Sequence, residues 1–127
     1  MTDVREVTTS AFSHLLGCEP VRIDGGEAEV RLPLKAELRN RAGKLHGGAI
    51  FSLVDIAMGL ACSSAHGFER KSVTVECKIN YMRAIDDGEV LCLAKVIHHG
   101  GRTLVVDAEV RQGEALVARA QGTFMLV

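Results

Sequence analysis

Apolar and polar residues alternate through several stretches of this chain. In "EAEVRLPLKA", Ala28, Val30, Leu32 and Leu34 fall on one side and Glu27, Glu29 and Arg31 on the other, the period of a strand with one buried face. Pro33 marks an edge position or the strand's end. "KSVTVECKINYMR" repeats the pattern, with Val73, Val75, Cys77, Ile79 and Tyr81 opposite Thr74, Glu76, Lys78 and Asn80. "EVLCLAKVIHH" and "RTLVVDAEVR" follow the turns "DDGE" and "HGGR", and "RQGEA" separates the latter from "LVARAQGTFMLV". About five strands are expected. Ahead of them, "TTSAFSHLLGCEP" predicts a short helix: Thr8, Thr9 or Ser10 caps it, Phe12, Leu15 and Leu16 form its apolar side, Gly17 ends it and Pro20 forbids continuation.

The period changes in "LHGGAIFSLVDIAMGLACSSAHG", which predicts a helix from about Gly48 to Ala65, closed by Gly67. It is long enough to raise a membrane span, but the central Asp55, the weakly apolar Gly47, Gly48, Ser52, Gly59, Ser63 and Ser64, and the strands that follow favour a core helix covered on most sides. Helix, strand, long helix and then four strands joined mostly by tight turns predict an α+β domain over residues 1–127, an antiparallel sheet curved round one central helix. The remaining helix surface and the two sheet edges call for a two-fold partner, another copy of the chain.

Composition narrows the functional classes. With 47% hydrophobic and 24% charged residues the chain is ordinary globular material. A net charge of −1 with interspersed signs offers no field to attract nucleic acid or an anionic membrane. Cys18, Cys62, Cys77 and Cys92 form no C-x-x-C pair, and "MTDVREVTTS" lacks a basic, apolar leader; reduced thiols, a cytoplasmic setting and no metal site are expected.

Chemistry concentrates at the central helix. An isolated buried carboxylate costs several kcal/mol, so Asp55 needs a compensating partner or a function; Ser52, three residues earlier, is the nearest local partner. Gly47-Gly48 stands where a loop becomes a helix N-terminus, whose first amides lack intrahelical acceptors and favour developing negative charge. Asp55 lies about 12 Å along the helix axis from Gly47, too far for both to reach one carbonyl in the same subunit. A site using both draws on two chains.

"NRAGKLHGGAIFSLVDIAMGLACSS" resembles the signature of the hotdog-fold acyl-CoA thioesterases, in the branch with the phenylacetate-degradation (PaaI-like) and mammalian thioesterase-superfamily proteins. The resemblance runs from Asn40 through His46-Gly47-Gly48 and Asp55, then through "SVTVECKINYMRAIDDGE" and "HGGRTLVVDAEV", most of the chain. It implies a hotdog fold and hydrolysis of acyl-CoA to free acid and coenzyme A without a separate cofactor. A homodimer is the implied minimal unit, assembled as a dimer of dimers. Gly47 is the implied oxyanion amide, His46 shapes the turn, and Asp55 of the partner is the nucleophile or general base. Asn40 orients the thioester carbonyl or water, and Thr74 stands near the attacking water. For the coenzyme A nucleotide the resemblance implies Tyr81, Arg83, Gly101, Arg102 and Thr103, with Lys44 and Arg41 as weaker candidates.

Two other functions fit such a scaffold. A hydratase or dehydratase acting on acyl-thioesters needs a second acid suited to proton transfer at carbon, and none is obvious in the central helix. A non-catalytic acyl-CoA-binding domain would not need both the glycine pair and Asp55.

Overall fold

The computed structural model describes residues 2–127 and contains one six-stranded, wholly antiparallel sheet wrapped round a long helix. The elements are α1 (Ala11–Leu16), β1 (Glu19–Asp24), β2 (Glu27–Pro33), α2 (Gly47–Ala65), β3 (Ser72–Tyr81), β4 (Glu89–His99), β5 (Thr103–Gln112) and β6 (Ala115–Leu126). Short 3-10 turns occupy Val4–Glu6 and Ala36–Leu38. The strand order is β1-β2-β4-β5-β6-β3, which leaves β1 and β3 as edges. The expected α+β hotdog architecture holds.

Six strands stand where about five were expected, because β1 gives a weak alternating signal. Pro20 is its second residue, Arg22 and Asp24 interrupt it, and only Ile23 is fully buried. Its identity as a strand comes from pairing with β2 across the Asp24–Glu27 turn, not from its own composition. The N-terminal helix is capped as expected, with the Ser10 hydroxyl accepting from the Ser13 amide and Gly17 left-handed at φ 88°. Its apolar side is not: Leu16 is buried, while Phe12 and Leu15 are 51% and 69% exposed.

Helix α2 begins one residue earlier than expected and lies against all six strands. Buried residues recur in pairs, Ala49-Ile50, Leu53-Val54, Ala57-Met58 and Ala61-Cys62, a stripe that packs onto the inner sheet face with Val30, Leu32, Val106, Val110 and Phe124. It is long and apolar enough to cross a membrane, but that stripe is occupied by the sheet. The helix is covered on one face rather than on most sides: Phe51, Asp55, Ile56 and Leu60 stay half-buried within this chain.

Strict alternation along β3 also fails, at a bulge. Thr74 pairs with Phe124 and Glu76 with Thr123, so Val75 is the extra residue. The slip puts Thr74 on the helix-facing side together with Cys77, Ile79 and Tyr81. Val73 and Val75, expected on the buried face, are 50% and 54% exposed. Opposite the bulge, Gly122 lets β6 pass close to α2; a Cβ there would meet Met58 Sδ at 3.0 Å and the Glu76 carbonyl oxygen at 3.1 Å.

Candidate active site

Asp55 is stabilised from the sheet, not from its own helix. The Thr74 hydroxyl donates to Asp55 Oδ1 at 2.6 Å, a contact that exists because the bulge turns Thr74 inward. Ser52, the local partner expected from spacing, donates instead to the Gly48 carbonyl at 2.8 Å. The carboxylate opens onto a cleft of about 640 Å³ between the Thr8–Ser10 segment, the outer side of α2 and the start of β3. Ile56, Leu60, Phe68 and Phe124 give this cleft apolar walls, and Arg70 and Lys71 place cations at it. Sequence reasoning missed both cations, whose neighbours in the chain carry no motif.

Thr74 thus has two separable contributions, a methyl group and a donor. Thr74→Ser should keep kcat within a few-fold, whereas Thr74→Val, equal in shape without the donor, should lower kcat by roughly ten-fold through the lost charge-assisted hydrogen bond. Steady-state thiol release by the two variants checks this, and equal rates would remove the hydroxyl from the site.

Gly47 opens onto a second cleft, of about 360 Å³, with Asn40, Lys44, Ile50, Tyr81, Met82 and Arg83. Among the described residues the Gly47 N–H donates to no acceptor, leaving an amide at a helix N-terminus free for a ligand. His46 is the N-cap: its Nδ1 accepts from the Gly48 amide at 2.7 Å. Tyr81 lies against Gly47, its hydroxyl donating to the Gly47 carbonyl at 2.8 Å. Asn40 spends its side-chain oxygen on the loop, accepting from the Ala42 and Lys44 amides at 2.9 and 3.0 Å. Lys44 forms an ion pair with Asp86.

Strand β3 runs antiparallel to α2, with Thr74 beside Asp55 at one end and Tyr81 beside Gly47 at the other. One chain therefore brings Asp55 and Thr74 together, and separately gathers Gly47, His46, Asn40, Tyr81 and Arg83. Gly101 and Arg102 lie in the β4–β5 turn and Thr103 opens β5; the Arg102 carbonyl accepts from the Leu126 amide, the residue paired with Ser72 at the start of β3. Arg83 and Arg102 thus lie toward opposite ends of the strand within one chain. The thiols of Cys62 and Cys92 are both pushed up by burial, Cys62 to about 12, so neither is a nucleophile at neutral pH. No group of three or more His, Cys, Asp or Glu side chains suited to a metal is found among the described residues.

The chain is similar to known proteins in sequence and in fold. The thioesterase superfamily profile matches residues 42–118. The acyl-coenzyme A thioesterase PaaI of Escherichia coli is 35% identical over 114 residues, 88% of this chain and 79% of that protein. The structure of the E. coli PaaI protein from the phenylacetic acid degradation operon superposes with a TM-score of 0.87 at 31% identity, covering 93% of this chain and 85% of that one. The structure of conserved protein PA5202 from Pseudomonas aeruginosa superposes with a TM-score of 0.93 at 64% identity, covering 94% of this chain and 95% of that one.

Proposed function

This chain belongs to the thioesterase superfamily and is a thioester hydrolase of the hotdog fold, and from that premise we propose that it cleaves acyl-CoA to free acid and coenzyme A at a site built by two copies of the chain. Asp55 and Thr74 come from one copy; the Gly47 amide, with Asn40 and His46 beside it, comes from the other. The observation that carries this reading is the hydrogen-bonded carboxylate of Asp55, open to a cleft on an otherwise apolar helix.

Pairing of two β3 edges explains how the halves meet. Residues Val73, Val75, Tyr81 and Met82 are about half exposed along or just beyond an edge strand of ten residues, and long unpaired edges invite another strand. A two-fold axis near the middle of β3 makes the pairing antiparallel, so the Thr74 end of one copy faces the Tyr81 end of the other. Asp55 then approaches its partner's Gly47, and Arg102 of one copy shares an end with Arg83 of the other, two cations for the phosphates of coenzyme A. Further pairing of such dimers into a dimer of dimers and a cytoplasmic setting complete the reading.

In the reaction, the Gly47 N–H holds the thioester oxygen as it becomes negative. Asp55 either takes a proton from water, whose oxygen adds to the carbonyl carbon, or adds to that carbon itself. Collapse of the tetrahedral adduct breaks the carbon–sulfur bond and expels the coenzyme A thiolate. In the first route Asp55 returns its proton to the thiolate; in the second, water hydrolyses the acyl-aspartyl anhydride.

Two measurements test the proposal. Thiol release from acetyl-, octanoyl-, palmitoyl- and phenylacetyl-CoA should identify at least one substrate and rank the acyl classes. Asp55→Asn and Gly47→Pro variants, each inactive alone, should regain about a quarter of wild-type turnover when unfolded and refolded together. Random pairing makes half the dimers mixed, and each mixed dimer has one intact site. No recovery on mixing would show that the two residues act within one chain.

A further inference from the structure

We propose that Tyr81 is a positioning residue for the Gly47 amide, acting by clamping the Gly47–Gly48 peptide group; this rests on the reading of Gly47 as the oxyanion donor. The Tyr81 hydroxyl donates to the carbonyl oxygen of that peptide at 2.8 Å, and the N–H of the same peptide donates to His46 Nδ1 at 2.7 Å. One peptide plane is therefore held at both ends by side chains from outside the helix ladder. A peptide group held this way cannot rotate about the helix start without losing a hydrogen bond, so the adjoining Gly47 N–H keeps a single direction.

The clamp also accounts for Gly48, while leaving room at Gly47. A Cβ on Gly47 would sit 3.4 Å from the Tyr81 ring carbon Cζ, and one on Gly48 would sit 3.0 Å from His46 Nδ1. At the second distance the histidine would have to move, opening the cap. Tyr81 reaches this place from the C-terminal end of β3, the strand that also carries Thr74 to Asp55, so a single strand orders both halves of the chemistry. Burial pushes the Tyr81 phenol up from its ordinary range, which keeps it protonated and able to donate. The resemblance placed Tyr81 only at the coenzyme A nucleotide; its hydroxyl is committed to the backbone instead.

Tyr81→Phe keeps the ring against Gly47 and removes only the donor. With the best substrate of the acyl-CoA panel, kcat should fall on the order of ten-fold while KM stays within two-fold, with melting temperature and oligomeric state as in the wild type. His46→Ala should also lower kcat, and His46→Asn, which restores a capping acceptor, should recover part of it. The Tyr81→Phe/His46→Ala double variant should lose less than the product of the single losses, because either change alone releases the same peptide. Unchanged kcat in Tyr81→Phe, a loss confined to KM, or fully multiplicative losses would each overturn the proposal. A wild-type protein inert toward the whole panel would instead overturn the acyl-CoA reading, and Asp55→Asn serves as the inactive control that separates the two failures.

Discussion

Asp55→Asn should leave an assembled protein that releases almost no thiol. The substitution keeps the side chain's shape and an oxygen that can still accept from Thr74, so the packing that holds β3 to α2 persists. Only the negative charge and its basicity disappear. The expected loss in kcat is about 10³-fold or more, roughly 4 kcal/mol of transition-state stabilisation, the range for removing a catalytic base or nucleophile. Stopped-flow or steady-state thiol release measures it, with size-exclusion chromatography as the check on assembly. A variant with near-normal kcat would take Asp55 out of the mechanism. Single turnover in ¹⁸O-labelled water then tests for attack by Asp55, because an anhydride opened by water at its aspartyl carbon leaves an aspartyl oxygen in the first acid released and places the label on the protein, an outcome the general-base route cannot give.

Gly47→Pro should be nearly as damaging while leaving the fold intact. Proline deletes the Gly47 N–H itself, a change no side-chain substitution can make. The first position of a helix is where proline is best tolerated, since that N–H has no intrahelical partner. Gly47 is not among the residues with positive φ, and His46 ahead of it sits at φ −64° and ψ 136°, the extended conformation a residue before proline prefers. The expected fall in kcat is about 10²- to 10³-fold, the usual cost of losing one oxyanion donor, with a melting temperature close to wild type. Full activity would show that the free amide serves only the helix end.

Much of the candidate site is legible in the linear chain because its parts obey local rules. A glycine pair ahead of an apolar helix marks a close approach at an N-terminus, and a lone carboxylate in such a helix demands a partner. His46 as the turn-shaping residue came only with the resemblance, and its place at the cap is a finding of the structure. The partner of Asp55 is another matter: Ser52 satisfies the spacing, yet Thr74 makes the bond, because a bulge at Val75, in a separate element, resets the phase of β3. Alternation had put Thr74 on the polar face. Arg70, Lys71 and the hydroxyl of Tyr81 join the site through packing of separate segments, and no motif announces them.

Local pattern was sufficient for the strand-rich α+β class, the length of α2, a cap among Thr8, Thr9 and Ser10 and the stop at Gly17, since periodicity, capping and φ preference act within a few residues. Tertiary packing decided that Glu19–Asp24 is a strand, which helix face is buried and which β3 residues point inward. Those outcomes depend on what lies across the sheet: β1 is a strand because β2 offers it a ladder, and Thr74 faces α2 because the bulge at Val75 shifts every side chain before it to the opposite face.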